Sequence, residues 1–175
     1  MLEKISIASV AMVFVVLMTV TVRQLGAPPR QPSGMDRLRV AEPAKPLPAG
    51  VLPVAGRPTI VNFWLTGCAP CLRDATSLNG LAERLAGQGV GVLLMSEDGD
   101  GDQSMRGVLD DKGLNRLLTA ADGGKETAKA LGVVGLPTTI LVDAKGFEVA
   151  RIEGEADWSA ADLEARVAAL LGAAR

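Results

Sequence analysis

Histidine and tyrosine are absent from this 175-residue sequence, and cysteine occurs only twice. The absence of histidine removes the usual general base, which excludes hydrolases built on a Ser-His or Cys-His pair. Two tryptophans and three phenylalanines argue against stacking platforms for bases, and a net charge of −2 gives no basic surface for nucleic acid. The composition therefore predicts no nucleic-acid partner.

The length suits one globular domain with appendages, and 48% apolar residues are enough for a hydrophobic core. A short tail, residues 1–4, precedes the apolar run 5–22, whose length as a helix would be roughly 27 Å, enough to cross a membrane. No clean small-x-small cleavage site follows it. This pattern favours a transmembrane anchor, or an uncleaved signal, over a cleaved signal peptide.

Residues 23–50 are rich in proline, glycine and alanine and show no persistent helical or alternating pattern. We interpret them as an extended, semi-rigid tether, with an edge strand near Leu47–Val54, and place the compact domain at 51–175. Arginines that follow the apolar run would by themselves keep the domain in the cytoplasm. Two cysteines in a domain on a membrane tether make most sense outside the reducing cytosol, so we place the domain there.

The two cysteines form the motif Cys68-Ala69-Pro70-Cys71, between the apolar run Thr59–Trp64 and a helical pattern. The unpaired N–H groups and the positive dipole end at a helix start favour a thiolate. Pro70 suits the first turn, where its missing N–H is not needed. We predict that Cys68 is the exposed attacking thiolate and that Cys71 is the more buried thiol that resolves the mixed disulfide.

Two other readings of the cysteine pair are weaker. A structural zinc site needs further soft ligands, and the sequence offers no other cysteine and no histidine, so we predict no metal site. A purely structural disulfide would close a very short loop and would stabilise the fold little. Redox chemistry is favoured, and it requires no cofactor.

The remaining pattern alternates strands and helices, which predicts an α/β fold with a parallel crossover unit around the cysteines. The predicted elements are a helix after Cys71 ending near Gly87, a strand Val90–Met95, a helix Met105–Lys112, a strand Leu117–Thr119, a helix Lys125–Leu131, a strand Thr139–Val142, a strand Glu148–Glu153, and a helix starting at Ser159 with a capping box to Asp162. The acidic loop 97–102 fails the calcium-loop register, so we interpret it as a solvated turn.

Beyond these patterns, the chain resembles the thioredoxin superfamily, and within it the TlpA/ResA/CcmG-type membrane-anchored thiol-disulfide oxidoreductases. The resemblance covers about residues 51–172 and rests on four motifs: the Cys-x-x-Cys pair, Val61–Trp64, Gly132-Val133 with Leu136–Thr138, and Ala156–Trp158. It implies a central mixed β-sheet flanked by helices, with an N-terminal transmembrane helix.

The resemblance also implies roles for residues around the cysteines. Leu136 and Pro137 would form a cis peptide bond that, with Thr138, aligns a substrate disulfide. Asp74 matches an acidic position that tunes thiol protonation, although a carboxylate is also favourable in the first turn of a helix for its own sake. Trp64 would pack beside the site.

Three positions depart from the pattern of the superfamily. Asn62 stands where cytosolic thioredoxins carry a buried acid, so that acid's proton-transfer role does not carry over. Gly67 replaces the tryptophan usual before the first cysteine, and Thr76 replaces a proline common in the following helix. The surface beside Cys68 is therefore less bulky than in those relatives, which bears on the choice of partner.

Together these features predict a single-pass protein of the bacterial inner membrane whose periplasmic domain reduces disulfides of client proteins. A membrane electron donor would re-reduce it, and clients would include cysteine pairs that bind haem or copper, as in cytochrome c maturation. One alternative is a disulfide donor that uses the same site in reverse. Another is a non-enzymatic copper-delivery module, for which the imidazole ligand is missing.

Overall fold

The computed structural model describes residues 33–52, 56–99 and 102–172, with the side chains of the second helix described from residue 105 on. The strands are β1 (Leu38–Pro46), β2 (Thr59–Trp64), β3 (Gly91–Ser96), β4 (Leu118–Ala121), β5 (Thr138–Val142) and β6 (Phe147–Glu153), and the helices are α1 (Ala69–Leu85), α2 (Asp102–Asp111), α3 (Glu126–Ala130) and α4 (Ala161–Leu170). Short 3₁₀ turns lie at Met35–Arg37 and Ala86–Gln88.

The six strands form one mixed sheet in the order β1-β6-β5-β2-β3-β4. Strands β2, β3 and β4 are parallel, whereas β5 runs antiparallel to β2, and β6 and β1 continue the antiparallel half. The connection from β2 through α1 to β3 is the predicted parallel crossover unit. The α/β architecture and the mixed central sheet predicted from the sequence are confirmed.

Both faces of the sheet are buried, as the continuous apolar character of β2 and β3 predicts. Successive side chains of β2 point to opposite faces. Ile60 and Trp64 join a large core with residues of α1, α2 and α4, whereas Val61 and Phe63 join a smaller core on the other face with residues of α3. The cysteine pair belongs to the larger core.

The edge strand lies earlier in the chain than the sequence indicates. It is Leu38–Pro46, which pairs antiparallel with β6, whereas residues 47–52, the described part of the predicted Leu47–Val54 strand, are not in a strand. The register shifts between Val40 and Lys45, around Pro43, because proline is tolerated in a sheet only at an edge or a bulge. Residues 38–46 therefore belong to the sheet and not to an extended tether.

Two helix ends also differ from the sequence prediction. Helix α1 passes into a 3₁₀ turn and stops at Gly89, whose φ of 72° is left-handed, rather than at Gly87. Helix α4 begins after Ala160 without a side-chain cap, because the Ser159 hydroxyl bonds to Asp157 instead of closing a box with Asp162. Local side-chain bonds to a preceding residue thus override the predicted capping box.

The predicted anchor at 5–22 lies outside the described residues. Within the ranges that the structure describes, no helix is long and apolar enough to cross a membrane.

Candidate active site

The cysteine motif lies between the end of strand β2 and the first turn of helix α1. The chain leaves the sheet at Trp64, turns through Leu65–Gly67, and enters the helix at Ala69. The Cys68 N–H donates to the Leu65 carbonyl at 3.1 Å, and the Cys68 carbonyl accepts from the Leu72 N–H at 3.1 Å. Cys68 is therefore the N-cap residue, with its side chain at the positive end of the helix dipole.

The two sulfurs are joined in a disulfide across the first helical turn, with a Cα–Cα distance of 5.2 Å. The Cys71 N–H points back at the Cys68 Sγ, 3.2 Å away. Cys71 is fully buried, whereas Cys68 is partly exposed. The sequence prediction of an outer and an inner sulfur is thus matched by the burial of the two residues.

Residues 136–138 lie beside this turn because of the sheet register. Phe63 near the end of β2 pairs with Thr138 at the start of β5, so Pro137 lies at the same end of these two strands as the turn leading to Cys68. The Leu136–Pro137 peptide bond is cis. The Pro137 carbonyl accepts from the Gly154 N–H at 2.8 Å, and Leu136 packs against the same core as the cysteines.

Asp74 is a fully buried carboxyl on the inner face of α1, three residues after Cys71. Its Oδ1 accepts from the Ala156 N–H at 2.9 Å, and its Oδ2 accepts from the Asn62 amide at 3.3 Å. The indole N–H of Trp158 is near enough to favour the ionised form, but it does not meet hydrogen-bond geometry.

These donors do not offset the loss of water around Asp74. Burial raises the pKa of Asp74 from an ordinary value of 3.8 to about 7, and the charge of nearby Glu155 adds to the rise. The Ala156 N–H, the Trp158 indole and the Asn62 amide oppose it. Asp74 therefore changes protonation near neutral pH, on the face of the helix that carries the inner sulfur.

Asn62 connects Asp74 to strand β5. Its amide nitrogen donates both to Asp74 and to the Thr139 hydroxyl at 2.9 Å, while its Oδ1 is buried without a hydrogen-bond partner among the described residues. The strand thus contributes an amide at this point, and the buried carboxyl that it contacts belongs to helix α1.

Trp64 and Pro70 lie on either side of the cysteine turn, one in the core and one in the helix. Trp64 is fully buried in the core that includes Cys71, and its carbonyl accepts from the Glu97 N–H at 2.9 Å. Pro70 occupies the first helical turn, where the backbone has no use for its missing donor. Thr76 is accommodated within an unbroken helix and donates its hydroxyl to the Leu72 carbonyl at 2.8 Å.

The sequence did not predict the contact between Asp98 and the turn before Cys68. The acidic loop after β3 is only partly solvated, because the Glu97 side chain is 6% exposed and pairs with Lys125, and Asp98 binds the turn before Cys68. The interpretation of a solvated acidic turn is therefore wrong for these two residues. The signal available in the sequence was the Ser96-x-Asp98 spacing at a strand end, which favours a local side-chain turn.

Among the described residues, no group of three or more Cys, His, Asp or Glu side chains is placed to hold a metal ion. Zinc coordination in particular needs three or four such ligands. The chemistry that the site itself offers is that of two sulfurs and one buried carboxyl.

The sequence of this chain is similar to those of known proteins. ResA, a thiol-disulfide oxidoreductase of Bacillus thuringiensis subsp. konkukian, is 31% identical over 100 residues, which are 57% of this chain and 57% of its own. DsbE, a thiol:disulfide interchange protein of Vibrio cholerae, is 33% identical over 107 residues, which are 61% of this chain and 54% of its own. The chain spans little more than half the length of these curated relatives.

Solved structures show the same fold. A DsbE-type thiol:disulfide interchange protein of Chlorobium tepidum matches with a TM-score of 0.60 at 24% identity, covering 67% of this chain and 82% of its own. A secreted thiol-disulfide isomerase of Corynebacterium glutamicum matches with a TM-score of 0.55 at 25% identity, covering 67% and 72%. The Redoxin family model matches residues 50–168, which include both cysteines, Asp74 and Pro137. With its cysteine pair at the start of α1 in a thioredoxin-like fold, the chain belongs to the Redoxin family.

Proposed function

We propose that this protein is a membrane-anchored thiol-disulfide oxidoreductase that reduces disulfides of extracytoplasmic client proteins. The observation that carries the proposal is the disulfide between a partly exposed Cys68 at the helix N-cap and a fully buried Cys71. A sulfur that clients can reach and a second one that they cannot reach divide the attacking and resolving roles. The names of the relatives, oxidoreductase and interchange protein, support the same activity.

The proposed reaction transfers two electrons from the protein to the client. The Cys68 thiolate attacks one sulfur of the client disulfide, which forms a mixed disulfide and releases the other client sulfur as a thiolate. Cys71 then loses its proton and attacks the Cys68 Sγ, which re-forms the Cys68–Cys71 disulfide and releases the client's remaining sulfur. The client leaves as a dithiol after both of its thiolates gain protons.

Two features of the helix support the thiolate at Cys68. The Cys71 N–H lies 3.2 Å from the Cys68 Sγ and would donate to a thiolate there. The helix dipole places partial positive charge at the same point, and Pro70 completes the first turn. Both effects lower the pKa of an N-cap thiol, because they favour its charged form.

Asp74 is proposed to exchange the proton of Cys71. Both residues are fully buried and lie three positions apart on one helix face. A carboxyl with a pKa of about 7 binds and releases a proton readily at neutral pH, which suits a general acid or base. Asn62 holds its Oδ2 and the Ala156 N–H holds its Oδ1 during this exchange.

The client is proposed to lie along residues 136–138. The register of β2 with β5 puts Leu136, Pro137 and Thr138 next to the turn that presents Cys68. The Thr138 hydroxyl is engaged with the Gly135 carbonyl at 2.7 Å, which fixes the chain leading into β5. Trp64 supports the site from the core side.

The cellular setting is proposed from the sequence. The apolar run 5–22 would span the bacterial inner membrane once and residues that follow it would hold the domain in the periplasm, where disulfides persist. A membrane electron donor would return electrons to the oxidised pair. Cysteine pairs that must be free to bind haem or copper, including those of cytochrome c maturation, are the proposed clients.

Trapping with Cys71→Ser in the full-length protein tests the proposal. Without the resolving thiol, mixed disulfides between Cys68 and its clients accumulate and are recovered by nonreducing electrophoresis and mass spectrometry. The matched variant Cys68→Ser is expected to give no adducts. Adducts from Cys68→Ser alone would reverse the two roles, and adducts from neither variant would contradict the proposed function.

The direction of transfer is tested on the trapped clients. A reductase predicts that clients recovered from cells lacking the protein hold their cysteine pairs as disulfides. Clients that are left as free dithiols in those cells would instead show that the protein donates disulfides.

A further inference from the structure

The loop that follows strand β3 binds the turn that precedes Cys68. The Asp98 Oδ2 accepts from the Thr66 N–H at 3.0 Å, and the Asp98 Oδ1 accepts from the Thr66 hydroxyl at 3.1 Å. These bonds join residues that are 32 positions apart in the chain. Thr66 is the middle residue of the turn Leu65–Gly67, so one carboxylate holds this turn by its backbone and by its side chain.

Asp98 is itself held in place at the end of β3. The hydroxyl of fully buried Ser96 donates to the Asp98 Oδ2 at 2.7 Å, and the Asp98 N–H donates back to the same hydroxyl at 3.1 Å. The carboxylate therefore accepts three hydrogen bonds and has its own backbone fixed. A charged acceptor with this many donors is a strong and directional contact.

The other side of the loop is fixed by the turn before α3. The Asp122 N–H donates to the Ser96 carbonyl, and the Lys125 ammonium lies 2.8 Å from Glu97. Gly123 packs so closely that a Cβ there would lie 3.0 Å from the Asp98 carbonyl oxygen. Ser96, Glu97 and Asp98 are thus held by the turn before α3, so Asp98 is a fixed support for the turn Leu65–Gly67.

Cys68 stands directly on this supported turn. Its N–H donates to the Leu65 carbonyl at 3.1 Å, one residue before Thr66. The backbone angles of the N-cap, φ −92° and ψ 102°, set where the Sγ points relative to the first N–H groups of the helix. A shift of the turn would change those angles, and the bond from the Cys71 N–H to the Cys68 Sγ depends on them.

We propose that Asp98 is a positioning residue for Cys68: by binding Thr66 it fixes the turn that aims the attacking sulfur at the helix N-terminus. This inference rests on the proposed function, in which Cys68 is the attacking thiol. Asp98 acts through Thr66 and touches neither sulfur in the contacts described. Asp98 thus supports Cys68 from the loop after β3, in addition to the Cys71 N–H and the helix dipole.

The test compares Asp98→Ala with Asp98→Asn in the full-length, reduced protein. Asparagine keeps the geometry, because its oxygen can accept from the Thr66 N–H and the Ser96 hydroxyl while its NH₂ donates to the Thr66 hydroxyl. Alanine removes all three bonds. The measurement is the second-order rate of Cys68 with a small aromatic disulfide across pH, with thermal unfolding of each variant recorded alongside.

We expect Asp98→Ala to lower the rate roughly tenfold and to raise the pH midpoint of the reaction, because the thiolate loses its aligned N–H donor. Asp98→Asn should stay within about twofold of the wild-type rate, since its hydrogen bonds persist. Asp143→Ala is the matched control. Its carboxylate also accepts two backbone N–H bonds, from Lys145 and Phe147, but at the opposite end of β5 from Pro137, so the rate should be unchanged.

A folded Asp98→Ala variant with the wild-type rate and pH midpoint would overturn the inference, as would an Asp98→Asn variant as slow as Asp98→Ala. If Asp98→Ala fails to fold, Thr66→Val, which deletes only the hydroxyl bond, replaces it, with Thr66→Ser as its rescue. A wild-type protein in which Cys71 reacts before Cys68 would instead contradict the proposed function, whatever the Asp98 variants do.

Discussion

Two aspartates flank the cysteine pair, and they differ in burial and in hydrogen bonding. Asp74 lies on the helix side, fully buried, with one backbone N–H and one amide as hydrogen-bond donors. Asp98 lies on the loop side, partly exposed, and accepts from three donors on Thr66 and Ser96. Loss of solvation raises the pKa of Asp74 to about 7. Asp98 is instead held in one position by its three hydrogen bonds.

This contrast suits the two aspartates to different roles beside the disulfide. A buried carboxyl that titrates near neutral pH is suited to exchanging a proton with the inner sulfur. A carboxylate that binds three donors is suited to holding the outer sulfur's turn still. The following substitutions break or sharpen the contrast, and they are taken from the largest expected effect to the smallest.

The largest effect is expected from Asp74→Asn on the pH dependence of stability. Because the folded-state pKa of Asp74 is raised, the folded protein binds more protons than the unfolded chain between about pH 4 and pH 7, and stability falls as pH rises through that window. The loss attributable to this group is about 4 kcal/mol. Asparagine cannot ionise, so it should remove this loss.

Urea unfolding of the oxidised protein across pH checks this prediction. The gap between the variant and the wild type should widen in favour of the variant as pH rises, and it should be complete above about pH 8. Parallel pH curves for the two proteins would show that Asp74 keeps an ordinary pKa in the fold.

Asn62→Asp should have the next largest effect, because it places a second carboxyl against Asp74. The Asn62 amide lies 3.3 Å from the Asp74 Oδ2, and two carboxylates at that distance cannot both ionise without a cost. We expect a loss of about 3 kcal/mol of unfolding free energy at pH 8 and a smaller loss at pH 5, where the pair shares a proton. Asn115→Asp on the exposed turn before β4 is the matched control and should cost little.

Denaturant unfolding at the two pH values measures the Asn62→Asp effect. An equal loss at pH 5 and pH 8 would mean that packing, and not charge repulsion, explains it.

Gly123→Ala tests the loop side with a smaller effect. The added Cβ would lie 3.0 Å from the Asp98 carbonyl oxygen, which is backbone and cannot move without shifting the loop. We expect about 1 kcal/mol of destabilisation and a roughly threefold slower reaction of Cys68. The adjacent Gly124→Ala is the matched control, because the three atoms nearest to its Cβ would belong to the flexible end of the Glu126 side chain.

Thiol kinetics and thermal unfolding of these two glycine variants make the comparison. Equal Cys68 rates in both variants would indicate that the position of the loop does not reach the cysteine.

Glu155→Gln should have the smallest effect. Its carboxylate pairs with Arg73 at 2.6 Å, with the Arg73 side chain 53% exposed, so removal of the pair should change the free energy of unfolding little. The Glu155 charge also raises the pKa of Asp74, so the midpoint of the pH-stability curve should move to lower pH. A midpoint that moves to higher pH would contradict the assigned sign.

The elements around the cysteines could be predicted because their signals are local. The apolar run of β2, the spacing of apolar residues in α1 and the N-terminal proline all follow rules of sequence distance, and each holds in the structure. The edge strand could not be placed, because Leu38–Pro46 is partly exposed and contains prolines, so neither apolar alternation nor propensity marks it. Its partner β6 is more than 100 positions away in the chain.

The same distinction separates the site residues. Asp74 could be named because the resemblance to the thioredoxin superfamily points to an acidic residue there, three positions after Cys71 on a helix that the pattern predicts. The contact of Asp98 with Thr66 could not be predicted, because Thr66 lies 32 positions earlier and meets Asp98 only after β2 and β3 pair in parallel register. Long-range polar contacts between loops leave no periodic signal in a sequence.

The most direct test of the central claim is a redox titration of the full-length protein. Samples equilibrated in buffers of graded dithiothreitol ratio are quenched with an alkylating reagent, and the modified cysteines are counted by mass. The account predicts one reversible two-electron transition, with Cys68 modified before Cys71 when the reagent is limiting. A disulfide that survives excess reductant, or that fails to re-form when the buffer is made oxidising, would contradict it.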